Sequence, residues 1–394
     1  MKGMAESSIH ACVTDPPYHL TAGKKGGSGP ASVNLASPHG RARVTTGFMG
    51  MTWDGGDVAM RSETWAEVLR VLTPGAHLLA FGGTRTFHRM MCAIEDAGFE
   101  IRDTIMWVYG SGFPKSRNLG GEWDGWGTAL KPAWEPIIVA RKPLEGTVAA
   151  NVAKYGTGAL NIDGCRIEFK GEADEREAKE KNQHGEFGSG PMTNQVFGKF
   201  SKDRENYDPP GRWPANVAHD GSDEVARLFP ETTSGAMKRD VGAYDGDSAT
   251  EFLRGRSGPS NQRADSGNAA RFFYCAKADR HDRNEGCEEL PARDLNWSSG
   301  KQSPGTFQSE NTDRSATNFH PTVKPTDLMR WLCRLVTPRG GTVLDPFMGS
   351  GSTLKAAELE GFSGVGIEIA PEYAEIARRR IGADAPLFRA AGGL

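Results

Sequence analysis

Apolar positions in residues 1–145 follow two spacings, one typical of strands and one of helices. Short apolar runs predict four buried strands, in the stretches "IHACVT", "AHLLAFGG", "EIRDTIMWVYG" and "WEPIIVARK". Between the first two runs, a helix is predicted with one apolar face, formed by Trp65, Val68, Leu69 and Leu72. A second helix is predicted over "TFHRMMCAIEDAGF", closed by Gly98. Strands that alternate with helices in this rhythm predict an α/β sheet.

The same alternation returns in residues 317–394. A helix is predicted where Leu328, Trp331, Leu332 and Leu335 form an apolar stripe. The stretch "GTVLD" then predicts a strand, "TLKAAELEGF" a helix, "SGVGIEI" a strand and "PEYAEIARRRI" a final helix with Pro371 in its first turn.

Residues 146–316 differ, because long charged, glycine-rich and serine-rich stretches separate short apolar islands. They predict either a separate module with mobile loops or a large insertion. The chain therefore divides into regions 1–145, 146–316 and 317–394.

Composition limits the classes of partner. The 394 residues carry a net charge of −3, so a nucleic acid has to be met by a local basic face rather than by the whole molecule. No apolar run reaches the roughly 18 residues of a membrane span, and the N-terminus has no signal-peptide pattern. The six cysteines form no C-x-x-C pair. We expect a cytoplasmic protein with reduced thiols and no metal site.

The stretch "VTDPPYHL" places Asp15, Pro16, Pro17 and Tyr18 directly after the first predicted strand. Prolines end a strand, so Asp15 should stand at its carboxyl tip. Ligands of open α/β sheets bind at such tips. The alternative is a plain Pro-Pro turn that carries a solvated acid.

A second motif, "TVLDPFMGSGSTLKAA", reads as a strand, a glycine-rich turn and a helix. Gly349 and Gly351 allow close approach of a ligand to the backbone, and Glu368 follows at a distance suited to ribose hydroxyls. A dinucleotide dehydrogenase needs a third glycine where Thr353 or Leu354 stands, and a phosphate loop needs a G-K-[ST] that is absent. The alternative is a tight turn that only packs a helix on a strand.

The stretches "DPPY", "HPTVKP" and "VLDPFMGSGS", in this order, resemble the β class of DNA amino-methyltransferases. Further stretches, such as "WGTALKPAWEPIIVARKPLEGTV", look like the adenine-specific methylases of phages and prophages. The resemblance covers nearly the whole chain. It implies a Rossmann-like α/β fold with a mixed sheet, helices on both faces, a circularly permuted motif order and an inserted target-recognition region.

The resemblance also implies the chemistry. S-adenosylmethionine would donate a methyl group to the N6 amine of an adenine flipped out of the DNA, by direct in-line displacement. Asp15 and the Pro16 carbonyl would accept the amine's hydrogens, Pro17 would stiffen the loop, and Tyr18 would stack on the base. The expected cofactor contacts are Asp345, Phe347, Gly349, Ser350, Gly351, Glu368, Thr322 and Lys324, although Lys324 is equally well explained as a solvated lysine.

Contacts with DNA are less defined by the sequence. Lys24, Lys25 and Arg41 lie in a loop after the catalytic motif, which would close over the target strand or is simply a solvated flexible loop. Arg254 would touch phosphates, which give affinity without sequence readout. Trp107 matches the family's strand beside the target base, yet a strand tryptophan as often packs in the core. The expected partner is double-stranded DNA. A homodimer and a cognate restriction endonuclease are further possibilities carried by the class, as is an orphan enzyme without an endonuclease.

Three rival functions stay open. N4-cytosine methyltransferases more often have Ser where Asp15 stands. RNA or protein amide methyltransferases usually place the cofactor loop before the catalytic loop. A regulator on a decayed methylase fold would bind DNA without catalysis.

Overall fold

The computed structural model describes residues 1–18, 57–112, 116, 118–169, 171–172, 175, 193–194, 198–199, 210–234, 265–276, 280–294 and 315–383.

One sheet of eight strands runs through the molecule. Its strands are β1 (Ile9–Thr14), β2 (Leu72–Phe81), β3 (Glu100–Val108), β4 (Trp134–Arg141), β5 (Val217–His219), β6 (Tyr274–Cys275), β7 (Thr342–Asp345) and β8 (Ser363–Gly366). Their spatial order is β6-β5-β3-β4-β2-β1-β7-β8. Only β4 among these strands runs antiparallel to its neighbours, so the amino end of β4 lies at the carboxyl edge of the others.

Helices cover both faces of this sheet. They are α1 (Ser62–Val71), α2 (Phe87–Asp96), α3 (Val148–Tyr155), α4 (Asp223–Ala226), α5 (Arg280–Asn284), α6 (Thr326–Val336), α7 (Ser352–Leu359) and α8 (Pro371–Ala383). Short 3-10 turns lie at Val58–Met60, Asp163–Cys165 and Ala269–Phe272. The predicted mixed α/β sheet with helices on both faces is confirmed.

The two core layers follow from the alternation of side chains along the strands. Ala11 and Val13 pack with α6 and α7 on one face, whereas Cys12 packs with α1 and α2 on the other. Because β1 and β2 contribute side chains to both layers, their sequences are nearly continuous apolar runs and do not alternate between apolar and polar residues. The central strands are therefore fixed from both sides, which holds the loops at their carboxyl ends in place.

The predicted helix face was wrong at one position. Leu72 is the first residue of β2, not the last of α1, because its backbone is already extended at φ −71° and ψ 144°. The β2 strand thus begins four residues earlier than the stretch "AHLLAFGG" predicts. The stripe on α6 is confirmed, since Leu328, Trp331, Leu332 and Leu335 are all buried.

The middle region contributes to the main sheet through β5 and β6, which extend it beyond β3. Three two-stranded sheets accompany them, Thr193–Asn194 with Gly198–Lys199, Glu231–Ser234 with Asp265–Asn268, and Arg293–Asp294 with Ser315–Ala316. The division of the chain into three regions stays a prediction. No helix in the described part of the chain is long and apolar enough to cross a membrane.

Candidate active site

The two sequence motifs meet at the carboxyl edge of the sheet. Strands β1 and β7 are parallel neighbours, with Cys12 opposite Leu344. Their ends are joined by a buried hydrogen bond of 2.6 Å, which Thr14 Oγ1 donates to Asp345 Oδ1. The Asp15 loop and the glycine-rich loop therefore begin side by side, although more than three hundred residues separate them in sequence.

Asp15 is held by two hydrogen bonds, one to each carboxylate oxygen. The Tyr18 hydroxyl donates to Oδ1 at 2.7 Å, and the Lys324 ammonium donates to Oδ2 at 2.7 Å. The Tyr18 carbonyl in turn accepts from Thr86 Oγ1, just after β2. The loop from Asp15 to Tyr18 is thus fixed at both ends, and the two prolines between them stiffen it.

A second carboxylate, Glu135 at the start of β4, completes this cluster. Its Oε2 lies 3.2 Å from Lys324 Nζ and 3.2 Å from the Tyr18 hydroxyl. Lys324 therefore bridges Asp15 and Glu135. Burial lowers the pKa of Lys324, but the attraction of the two carboxylates outweighs it and raises that pKa above its usual range. The ammonium stays charged at any working pH.

Tyr18 stays a phenol in this environment. Burial, followed by the charges of Asp15 and Glu135, raises its pKa well above the usual 10. Its hydroxyl hydrogen is therefore available to Asp15, and the phenol acts as a hydrogen-bond donor rather than as a base.

Asp345, the last residue of β7, is an acid buried to 2% exposure. Burial raises its pKa from the usual 3.8 to about 6, against the opposing hydrogen bonds from Thr14, Thr353 and the Phe347 backbone. Its Oδ1 also accepts from Phe347 N at 3.1 Å. The Phe347 ring packs against Trp65, with ring centroids 6.4 Å apart, and so anchors the start of the loop on α1.

The glycine-rich loop needs its glycines for two physical reasons. Gly349 and Gly351 have φ of +53° and +79°, a region that other residues rarely adopt. A Cβ at Gly349 would lie 2.8 Å from His320 Nε2, and one at Gly351 would lie 2.8 Å from the Ala377 Cβ. The loop thus fits tightly between His320, in the segment before α6, and Ala377, in the middle of α8.

Glu368 closes the loop from the β8 side. Its Oε2 accepts from Gly349 N and its Oε1 accepts from Ala370 N, both at 2.8 Å. A carboxylate has about four lone-pair sites, so two acceptor sites remain beyond these bonds.

His320 lines the loop on its other side, and Thr322 contacts the His320 ring. His320 is buried, and burial lowers its pKa to about 4, so the ring is neutral near pH 7. Its Nδ1 lies 2.9 Å from the Thr322 carbonyl. The His320 ring therefore lies between the Thr322 carbonyl and Gly349.

A buried ionic network holds the glycine-rich loop against α8. The fully buried Arg380 of α8 donates to the Ser350 carbonyl at 2.9 Å and to the Ser350 and Ser352 hydroxyls. Its other nitrogen donates to the Asp282 carbonyl at 3.1 Å. Asp282 also accepts from Thr326 N at 2.8 Å. The segment 280–294 is therefore tied to the glycine-rich loop and to the start of α6.

The predicted residues fall into three groups. The four of the catalytic loop and the eight predicted cofactor contacts converge on this one edge of the sheet. Lys324, however, lies against the catalytic loop, and its predicted contact with the cofactor carboxylate stays a prediction. Trp107 is 5% exposed and packs in the core beside Ile137 and Val139. Lys24, Lys25, Arg41 and Arg254 lie outside the described residues.

Sequence reasoning missed Glu135 and Arg380. Glu135 stands in "WEPIIVARK", where nothing local distinguishes it from an exposed strand residue. It enters the site because β4 is antiparallel and begins at the edge where the other strands end. Arg380 sits in an "RRR" run that reads as a solvated helix face. Only the packing of α8 on the loop shows which arginine is buried.

A model of the N6/N4 methyltransferase type, described as DNA methylase, matches residues 9–379. The chain belongs to this family of DNA methylases.

Curated relatives are similar to this chain over parts of their length. The type II methyltransferase M.HindIII of Haemophilus influenzae is 26% identical over 194 residues, which are 41% of this chain and 61% of the relative. The type II methyltransferase M.ScaI of Streptomyces caespitosus is 36% identical over 89 residues, 23% of this chain and 28% of the relative. The chain thus spans less than two thirds of either relative.

Solved structures align with most of the chain at low identity. A DNA modification methylase from Thermus thermophilus, in complex with S-adenosyl-L-methionine, aligns with 98% of this chain and 90% of its own, at 16% identity and a TM-score of 0.38. The cytosine-N4-specific PvuII DNA methyltransferase aligns with 96% of this chain and 81% of its own, at 12% identity and a TM-score of 0.40.

Proposed function

We propose that this DNA methylase transfers a methyl group from S-adenosylmethionine to the exocyclic N6 amine of adenine in double-stranded DNA. The observation that carries the proposal is the hydrogen-bonded junction of β1 and β7. It sets the Asp15 acceptor directly beside the glycine-rich loop. A reaction that joins an amine to a cofactor-borne methyl group needs these two sites adjacent, so that the reactants are held in line.

The residues of the glycine-rich loop suit S-adenosylmethionine. Glu368 retains acceptor sites for the two ribose hydroxyls, and the buried Asp345 is an anion suited to a cationic ligand. Phe347 offers an apolar face at the start of the loop. When bound, the cofactor supplies an electrophilic methyl group on a sulfonium. Thr322, whose carbonyl lies 2.9 Å from His320 Nδ1, is proposed to meet the polar end of the cofactor.

Asp15 and the Pro16 carbonyl are proposed to accept the two N–H bonds of the target amine. Accepting both hydrogens draws the nitrogen lone pair out of the ring and towards the methyl carbon, which makes a poor nucleophile reactive. Tyr18 and Lys324 leave each Asp15 oxygen with a further lone pair, so the carboxylate is held in place without being blocked. Asp15 then takes the proton that the methylated amine releases.

The proposal of adenine rather than cytosine rests on Asp15. In the related N4-cytosine methyltransferases, Ser more often stands at this position. N4-cytosine methylation would use the same acceptors and is the alternative. A homodimer, a cognate endonuclease and DNA contacts by Lys24, Lys25, Arg41 and Arg254 stay predictions.

Methyl transfer from tritiated S-adenosylmethionine into unmethylated genomic DNA tests the proposal. We expect incorporation by the wild type and a loss of about 10²- to 10³-fold in Asp15→Asn, which keeps the shape of the side chain and removes its charge. Cofactor affinity, measured by calorimetric titration, should be unchanged in this variant. A wild type that binds DNA but not millimolar cofactor would instead identify a regulator on the methylase fold.

A further inference from the structure

Two exposed tryptophans lie in the connection between β3 and β4, within a segment that we name the aromatic loop (residues 118–130). Trp123 is 54% exposed and Trp126 is 62% exposed, and their rings meet edge to face with centroids 5.3 Å apart. Tryptophan is among the residues that proteins bury most on average. Two of them exposed together indicate a surface that contacts a partner.

The aromatic loop has a defined shape. Asn118 Oδ1 accepts from Gly120 N and Gly125 N, and Asn118 Nδ2 donates to Asp124 Oδ1 at 2.8 Å. Leu119 N donates to the Trp126 carbonyl at 3.0 Å, which closes the loop on itself. The indoles are therefore presented by an ordered turn, which lowers the entropy lost when a partner binds them.

The loop rises from the active-site edge of the sheet. Its stems are joined where Tyr109 N donates to the Ala133 carbonyl at 2.9 Å and where Lys131 Nζ donates to the Gly110 carbonyl at 2.6 Å. Two residues after Ala133 comes Glu135, which belongs to the Asp15 cluster. The aromatic loop is thus continuous with the site that acts on the target base.

We propose that Trp123 and Trp126 stack on unpaired DNA bases next to the flipped target nucleotide. The inference rests on the proposed function, because it takes DNA as the substrate. Flipping one nucleotide leaves an opened step and an orphaned partner base, and exposed aromatic faces suit such bases. Glu122 and Asp124 flank Trp123 in sequence, and their negative charges disfavour a phosphate at this position. The loop is therefore suited to bases rather than to the DNA backbone.

The test compares Trp123→Ala/Trp126→Ala with the wild type and with Trp213→Ala. Trp213 is a matched control, since it is 66% exposed but lies four residues before β5, outside the aromatic loop, where its ring contacts Arg166. DNA affinity is measured by fluorescence anisotropy on a labelled duplex of unmethylated genomic sequence, and methyl transfer on the same DNA. The midpoint of thermal unfolding and the cofactor affinity confirm that each variant is folded.

We expect the double variant to bind DNA at least about tenfold more weakly and to methylate the duplex correspondingly more slowly, with unchanged cofactor affinity. On heat-denatured DNA, the rates of methyl transfer by the double variant and the wild type should differ less, because no base then has to leave a duplex. The control variant should match the wild type. Equal DNA affinity and equal rates in the double variant and the wild type would overturn the proposal. The exposed tryptophans would then be explained by contact with a protein partner instead.

Failure of the proposed function looks different in this experiment. A wild type that transfers no methyl group contradicts the methyltransferase assignment, whatever the loop does. The anisotropy measurement still decides the role of the loop in that case, because it needs DNA binding alone.

Discussion

Lys324 lies between two carboxylates, and this position makes Glu135 a part of the candidate active site. Without Glu135, the Lys324 ammonium would keep one carboxylate partner, Asp15, instead of two, and the Tyr18 hydroxyl would lose its contact with Glu135 Oε2. Both groups hold Asp15, so Glu135 acts on the reaction through them, as a positioning residue.

Glu135→Gln tests this role. We expect kcat for methyl transfer to fall about 10- to 100-fold, because a small displacement of Asp15 misaligns the amine. Cofactor affinity should stay the same. Glu100→Gln is the control, since Glu100 pairs with Arg141 at 2.6 Å on the same two strands but at the far edge of the sheet. An unchanged kcat in Glu135→Gln would show that Lys324 and Tyr18 hold Asp15 without help.

Asp345 makes the stability of the protein depend on pH. Its pKa rises from 3.8 in the unfolded chain to about 6 in the folded state, so the folded state binds the proton more tightly. The residue therefore favours folding below the unfolded pKa, and this contribution is lost as the pH rises through about 6.

Asp345→Asn, which stays neutral, is expected to be more stable than the wild type at pH 7.5 by up to about 3 kcal/mol. The gain should shrink to roughly half at pH 5, where Asp345 is mostly protonated. Urea unfolding at the two pH values measures both quantities. A variant less stable than the wild type at pH 7.5 would show that the hydrogen bonds of the carboxylate outweigh its burial.

At the scale of elements, the glycine-rich loop depends on the fit between its backbone and α8. Gly351 has φ +79° and no space for a Cβ beside Ala377, whereas Gly361, with φ +76°, has open space around it. Alanine at Gly361 meets backbone strain alone. Alanine at Gly351 meets the same strain and a collision with the α8 backbone.

We expect Gly361→Ala to lower the free energy of unfolding by about 1–2 kcal/mol. Gly351→Ala should lower it by roughly twice as much and should also weaken cofactor binding. Urea denaturation and calorimetric titration measure the two effects. Equal losses of stability in both variants would mean that α8 moves aside freely, and that the loop is not fixed by this contact.

Most elements could be predicted from local pattern, because buried strands and amphipathic helices leave regular apolar spacing. Leu72 shows the limit, since an apolar residue that continues a helical stripe also fits the start of a buried strand. Asp15 and Asp345 could be placed at strand tips from the prolines that follow them. Glu135 could not, since its position depends on the antiparallel direction of β4, which no local spacing encodes.

At the scale of the whole molecule, the network around Arg380 joins the middle region to the glycine-rich loop. Arg380 bonds the Ser350 carbonyl and the Asp282 carbonyl, and Lys355 bonds Glu285 at 2.6 Å. Asp282 and Glu285 lie in the segment that the sequence assigns to the target-recognition region. The fixed geometry of the loop thus depends on residues far from it in sequence.

Arg380→Met is expected to lower the free energy of unfolding by about 3 kcal/mol or more, because it leaves buried acceptors without their charged donor. Arg293→Met is the control. Arg293 pairs with Glu372 of the same helix as Arg380, but both side chains are about half exposed, so its loss should change stability by less than about 1 kcal/mol. Urea denaturation measures the free energy of unfolding of both variants. Similar small losses in both would show that the network around Arg380 contributes little to stability.

The identity of the methylated nucleoside tests the central claim most directly. Unmethylated DNA is incubated with S-adenosylmethionine and the protein, digested to nucleosides and separated by mass, with Asp15→Ala in parallel. We expect N6-methyladenine from the wild type and none from the variant. N4-methylcytosine would contradict the choice of base while keeping the acceptor geometry. N6-methyladenine at equal yield from Asp15→Ala would contradict the role of the Asp15 carboxylate.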